Sequence, residues 1–187
     1  MRRQCLPLCQ IAPRYANVNR RAPNFHLQRL GGGSARMSDW RGRAVILNFW
    51  SVTCVECKKE LPSLAQIAQT LKARGDAEVV TITPDESVDD VKNMLAATVG
   101  NKPPFVVLLD PGSRVIADQF GTKLYPETWF IDKDGVVRAR IDGARDYSQP
   151  VYLEFVKSLL DRNACGIEFA LGQPKGEQTW LCDEVSS

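Results

Sequence analysis

The chain has 187 residues, enough for one domain with tails. Hydrophobic residues make up 44% and charged residues 25%, as in an ordinary soluble globule, and a net charge of +2 carries no footprint of a nucleic-acid partner. A lone histidine far upstream, His26, and a single C-x-x-C fall short of the four ligands a structural zinc needs, so no metal is expected.

Seven arginines (2, 3, 14, 20, 21, 29 and 36) precede the first acid, Asp39. Residues 1–21 lack hydrophobic periodicity and contain no run long enough for a signal-peptide core or a membrane span. They read as a disordered or tethering basic segment, to which an anionic membrane surface would add ~1 kcal/mol per basic residue at most. Cys5 and Cys9 lie in it, and whether they pair or stay free is left open. Asn24 to Leu30 alternates weakly and predicts a first strand. Gly31-Gly32-Gly33-Ser34 is a hairpin turn, with no following helix or lysine to make it a phosphate loop. Further on, the apolar run Ala44–Trp50 reads as a buried strand. Leu61, Leu64, Ile67, Ala68 and Leu71 then recur at helical spacing, predicting a helix from Cys54 to Arg74 that stops at Gly75.

Ala77 to Ile82 is a second buried strand. Ser87 followed by Asp90 resembles a capping box and opens a helix to Thr98. Phe105–Leu109 is a strand, Asp110–Ser113 a turn, and Arg114–Phe120 a short helix leading to a loop that ends at Pro126. Thr128–Asp132 and Val136–Ile141 flank Lys133-Asp134-Gly135 as a hairpin. The amphipathic segment Ser148–Leu160 is a last helix. Alternating strands and helices followed by a hairpin and a helix predict an α/β fold, a mixed central sheet with helices on both faces, spanning 22–160. Residues 161–187, rich in glycine, read as an irregular C-terminal extension. Cys165 and Cys182 within it are candidates for a structural disulfide, whose loop of about 18 residues would contribute ~3 kcal/mol in the chain-entropy account.

The chemistry concentrates where a strand ends and a helix begins. Cys54 stands at the helix N-terminus, where unpaired N–H groups and the positive end of the dipole favour a thiolate. Cys57 lies one turn further in, within disulfide reach. A nucleophilic thiol with a resolving thiol behind it performs thiol–disulfide exchange, with no cofactor beyond the Cys54–Cys57 disulfide itself. A purely structural disulfide here would restrain only a four-residue loop.

Phe49-Trp50 before the C-x-x-C, and Pro62 five residues after it, resemble the thioredoxin superfamily. Cys57-Lys58-Lys59-Glu60-Leu61-Pro62 is similar to its bacterial extracytoplasmic TlpA/ResA branch, and Tyr125-Pro126-Glu127-Thr128-Trp129-Phe130-Ile131-Asp132 resembles that branch's cis-proline segment. The resemblance covers about Ala22 to Leu160. It implies a thioredoxin-like fold with an N-terminal strand extension and a mid-domain insertion that includes the helix after Ser87. It implies a cis Pro126, with Trp50, Tyr125, Pro126 and Glu127 as substrate-binding residues. Asn48 occupies the place of thioredoxin's proton-moving aspartate, so the resemblance assigns that task to Glu60. It further implies disulfide-bearing protein clients such as apocytochrome c, an upstream membrane dithiol donor, a periplasmic or other extracytoplasmic location with a possible membrane tether outside these residues, and a monomer.

Two departures concern the groove: Thr53 replaces the usual tryptophan before the first cysteine, and Glu56 the common proline between the cysteines. The alternatives from other classes are a peroxiredoxin-like peroxidase, whose signature proline would fall at Leu47, and a non-catalytic binding module, which two intact cysteines disfavour. A copper-delivery protein would want a C-x-x-x-C in place of this motif and a later histidine.

Overall fold

In the computed structural model, which describes residues 20–160 and the short strands 168–170 and 173–175, seven strands form one sheet. They are His26–Arg29 (β1), Ser34–Arg36 (β2), Ala44–Phe49 (β3), Ala77–Thr83 (β4), Val106–Leu109 (β5), Glu127–Ile131 (β6) and Val137–Asp142 (β7). The helices are Val55–Arg74 (α1), Val88–Thr98 (α2) and Pro150–Leu160 (α3). The strand order is β2-β1-β5-β4-β3-β6-β7, with β3, β4 and β5 parallel and every other pairing antiparallel.

β3 is the centre of this sheet and all six of its residues are buried. That explains its unbroken apolar run: a strand covered on both faces has no solvent side on which to place polar residues. On one face Ile46 and Trp50 pack with Leu61, Leu64 and Leu71 of α1 and Phe155 of α3. On the other, Leu47 and Phe49 meet Trp40, Phe120 and Trp129, where Phe120 makes edge-to-face contacts with Phe49 (5.1 Å) and Trp129 (5.3 Å). Each such large side chain contributes roughly 1.5–3 kcal/mol on burial.

The helix signals behave as read. Ser87 accepts a hydrogen bond from the Asp90 amide at 3.2 Å, capping α2. Gly75 ends α1 in the left-handed region (φ 78°), where its N–H reaches Leu71 O and a side chain would be strained. α2, the helix expected to belong to the insertion, leads to β5, which lies parallel to β4.

Four details differ from expectation. Ser34–Arg36 is a strand in its own right, so the glycine turn closes a two-stranded extension on the sheet edge. Arg114–Gln119 is a π-helical segment, started by Asp110, whose Oδ2 accepts the Val115 and Ile116 amides at 2.9 Å each. The body reaches back to Arg20, because Arg20 O accepts the Val137 amide and the Ala22 amide donates to Gly135 O. In the C-terminal extension, Glu168–Ala170 (β8) and Gln173–Lys175 (β9) form an antiparallel ribbon, whereas irregular chain was expected. Cys5, Cys9, Cys165 and Cys182 lie outside the described residues.

Candidate active site

β3 delivers the chain to the cysteines and α1 carries them. Cys54 is the N-cap of α1, and its sulfur accepts the Cys57 amide at 3.0 Å. One of the orphan N–H groups that begin any helix is therefore aimed at the reactive sulfur. Cys54 and Cys57 are joined as a disulfide across a Cα–Cα distance of 5.3 Å. Cys54 is half-buried and Cys57 has 0% exposure, so an incoming molecule meets Cys54 first.

The Tyr125–Pro126 peptide is cis, as the family resemblance implied. Phe49 pairs with Glu127 across β3 and β6, so the next step of that ladder places Pro126 beside Trp50, four residues before Cys54. The Gly143 amide donates to Pro126 O at 2.9 Å, tying the loop after β7 to the same place. Tyr125 is half-buried, its hydroxyl 3.3 Å from Ser113 Oγ, and burial pushes its pKa up. Among the described residues, the exposed large apolar side chains are Val55, Leu124 and Val88, at 63%, 81% and 37%. Val55 lies between the cysteines and Leu124 two residues before Pro126.

Glu60 sits one turn beyond Cys57 and is 2% exposed. Its Oε1 accepts from Asn48 Nδ2 at 2.7 Å and its Oε2 from the Arg145 amide at 2.8 Å. Asn48 Nδ2 also donates to Thr128 Oγ1 at 2.8 Å, bridging β3 and β6 behind the disulfide. Burial raises the Glu60 pKa from 4.5 to about 7, against the lowering pull of those two donors and the Arg145 charge. A carboxyl that changes state near neutrality, one turn from the resolving cysteine, can take up and return protons.

Two expected substrate contacts are placed elsewhere. Trp50 is fully buried under α1, so its ring supports the site from within and does not line a groove. Glu127 is 2% exposed and points to the sheet face opposite Asn48, where it accepts from Trp129 Nε1 (2.6 Å), Thr122 and Arg140. Arg140 also stacks 5.4 Å over the Trp129 ring. The reason is strand alternation: Thr128 faces Asn48, so its neighbour Glu127 faces away.

Asp85, in the loop after β4, was not singled out from the sequence. It accepts the Val52 amide at 2.9 Å, Ser51 Oγ at 3.1 Å and the Thr83 hydroxyl, holding the loop that enters the C-x-x-C. No motif marks it, because its partners are mostly backbone and hydroxyl groups 2 to 34 residues away.

Residues 18–140 match the AhpC/TSA family. The thiol-disulfide oxidoreductase ResA of Bacillus thuringiensis (strain Al Hakam) is 33% identical over 132 residues, covering 71% of this chain and 73% of that protein. Among solved structures, a Chlorobium tepidum protein described as a DsbE-type thiol:disulfide interchange protein superposes with a TM-score of 0.67 at 26% identity, covering 78% of this chain and 99% of that one. The exposed lipoprotein thioredoxin of Streptococcus pneumoniae gives 0.61 at 28% identity, over 72% and 98%. With a buried and an accessible cysteine at a helix mouth beside a cis-proline, the chain belongs to the AhpC/TSA family of thioredoxin-fold proteins and is a thiol-disulfide oxidoreductase similar to ResA.

Proposed function

We propose that this oxidoreductase works outside the cytoplasm as a reductant of protein disulfides, with apocytochrome c as its client and a membrane dithiol protein as its source of electrons. The observation that carries the reading is the contrast at the site: an accessible Cys54 with exposed Val55 and Leu124 in its two motifs, and a fully buried Cys57. Exposed apolar side chains in both motifs suit a polypeptide client, which can bury Val55 and Leu124, and are superfluous for a peroxide. Leu47, where a peroxidase would place its signature proline, is instead a fully buried core residue of β3. The likeness to a lipoprotein described as exposed supports an extracytoplasmic site of action.

In this reading an extended client lies beside Tyr125 and Pro126 in the manner of an added strand. The Cys54 thiolate attacks one client sulfur, and the other client sulfur leaves as thiolate and takes a proton. Cys57 then loses its proton to Glu60 and attacks the Cys54 sulfur. The client departs as a dithiol, and two electrons have passed to it as the Cys54–Cys57 disulfide forms. A Cys57→Ala variant cannot complete the second step, so mixed disulfides accumulate on Cys54. Recovery of apocytochromes on this trap supports the maturation role, whereas a broad mixture of secreted proteins would replace it with general disulfide reduction.

A further inference from the structure

We infer that Asp85 is a positioning residue that sets the reactivity of Cys54, fixing the loop at the mouth of α1 and placing there a negative charge that opposes the Cys54 thiolate. The inference rests on the disulfide chemistry alone and is independent of which client is reduced.

The contacts leave the loop little freedom. Asp85 Oδ2 takes the Val52 amide and Oδ1 the Ser51 hydroxyl. Ser51 Oγ in turn lies 3.1 Å from Thr53 Oγ1 and accepts the Thr53 amide at 3.4 Å, while Ser51 O accepts the Cys54 amide at 3.1 Å. Ser51, Val52 and Thr53 are thus each tied to Asp85 directly or through Ser51. Val52 is two residues from Cys54, so their Cα atoms are at most about 7.6 Å apart, two trans-peptide steps. A carboxylate bound to the Val52 amide therefore sits on the short turn that leads into Cys54.

Other charges nearby are weaker competitors. Glu56 is 56% exposed and paired with Lys59 at 2.6 Å, and Lys58 is exposed, so both act through water. Glu60 lies on the inner side of α1 against Asn48, and Glu127 is held by Arg140 on the far face of the sheet. Asp110 is engaged in starting the π-helical segment. Asp85 is half-buried and has no cationic partner among the described residues, so its charge is balanced only by hydrogen bonds. A charge near the end of a helix is felt most where solvent screens it least. The helix mouth draws the thiolate out and Asp85 restrains it.

Two near-isosteric substitutions test this with opposite expected signs. Asp85→Asn removes the charge, so the Cys54 thiolate forms at lower pH and the reduced protein is alkylated by iodoacetamide about threefold or more faster at pH 7. Its dithiol also becomes favoured about threefold in equilibrium with glutathione. Thr83→Val keeps the charge and withdraws a hydroxyl that neutralises part of it, so alkylation slows. A role in loop geometry alone would move both variants the same way, and that result overturns the inference. So does an Asp85→Asn variant whose alkylation profile matches the parent. If Asp85→Asn does not fold, Thr83→Val decides alone: slower alkylation supports the inference, and unchanged or faster alkylation overturns it.

Discussion

Asn48 and Glu60 meet in a 2.7 Å hydrogen bond that joins the central strand to the helix carrying both cysteines. An amide at position 48 cannot exchange a proton, but it can hold the group that does. Asn48 is itself held by Thr128 across the sheet, and Glu60 by the Arg145 amide from the loop after β7. The carboxyl is thus fixed from three elements while burial keeps its pKa near 7. A buried acid with few partners would stay protonated, and a solvated one would stay charged. This one has enough donors to titrate in between.

Replacing Glu60 by Gln preserves shape and removes the titration. Disulfide exchange with a model protein disulfide should slow by about a hundredfold or more near pH 7, the usual range for lost acid–base catalysis. The pH–rate profile should also lose its inflection near pH 7. An unchanged profile in rapid-mixing experiments would leave Glu60 without a catalytic part.

The same group makes the oxidised protein's stability depend on pH. Its folded pKa of about 7 lies above the ordinary 4.5, so the folded state binds the proton more tightly than the unfolded chain. The resulting stabilisation is full below about pH 4.5 and is lost as pH rises through about 7. A rise of that size corresponds to about 3 kcal/mol. Denaturant midpoints of the parent should fall over this interval relative to those of Glu60→Gln. Parallel curves for the two proteins would contradict the linkage.

Much of this was legible in the sequence. The helical spacing from Leu61 to Leu71 and the stop at Gly75 located α1, and Cys54 at its mouth followed directly. Glu60 was named by the resemblance, and three residues along a helix return it to the same face as Cys57. What stayed hidden depended on pairings across the sheet. Glu127 was read with Pro126 as part of one motif, yet strand alternation turns it to the opposite face, into a pocket with Thr122, Trp129 and Arg140. Trp50 likewise follows Asn48 onto the inner face and is covered by α1. Asp85 could not be found at all, because its role depends on β4 ending beside the Ser51–Val52 loop. The pairing of 168–170 with 173–175 was missed because strands of three residues leave almost no periodic signal.

Glu127 should therefore act on stability rather than on client binding. Glu127→Ala removes the buried acceptor shared by Arg140, Thr122 and the Trp129 N–H, while Arg140 keeps its 2.7 Å pair with Asp142, so the cost should fall near the lower end of the roughly 3–5 kcal/mol typical of breaking a buried ion pair. Chemical denaturation measures this. A variant of parental stability with a raised KM for client disulfides would restore Glu127 to the substrate surface.

Cys54 should be alkylated before Cys57 in the reduced protein, with a pKa below the free value of about 8.5. Its half-exposed position at the N-cap and the amide directed at its sulfur favour this, whereas Cys57 is covered. Mass spectrometry after a brief pulse of reagent distinguishes the two. Equal labelling across pH would reverse the assignment of nucleophile and resolving thiol.

The direction of electron flow follows from what lies between the cysteines. A strongly stabilised thiolate makes a disulfide an avid oxidant, because reduction then releases more free energy. Val55 offers a thiolate nothing, and Glu56, exposed and paired with Lys59, adds only a screened repulsion. Lys58 and Lys59 would act in the opposite sense, but Lys59 is 66% exposed and already paired with Glu56, and Lys58 is exposed to screening water. Asp85, bound to the loop just before Cys54, adds to the repulsion. The Cys57 amide donates to the Cys54 sulfur, a contact that a helix N-cap supplies in any case. The reduced form should gain little, and the potential should fall nearer the thioredoxin end of the scale, about −270 mV, than the DsbA end, about −120 mV. Equilibration with glutathione buffers of known ratio measures it. A value more positive than about −180 mV would make the protein an oxidant of its clients and overturn the reductant reading.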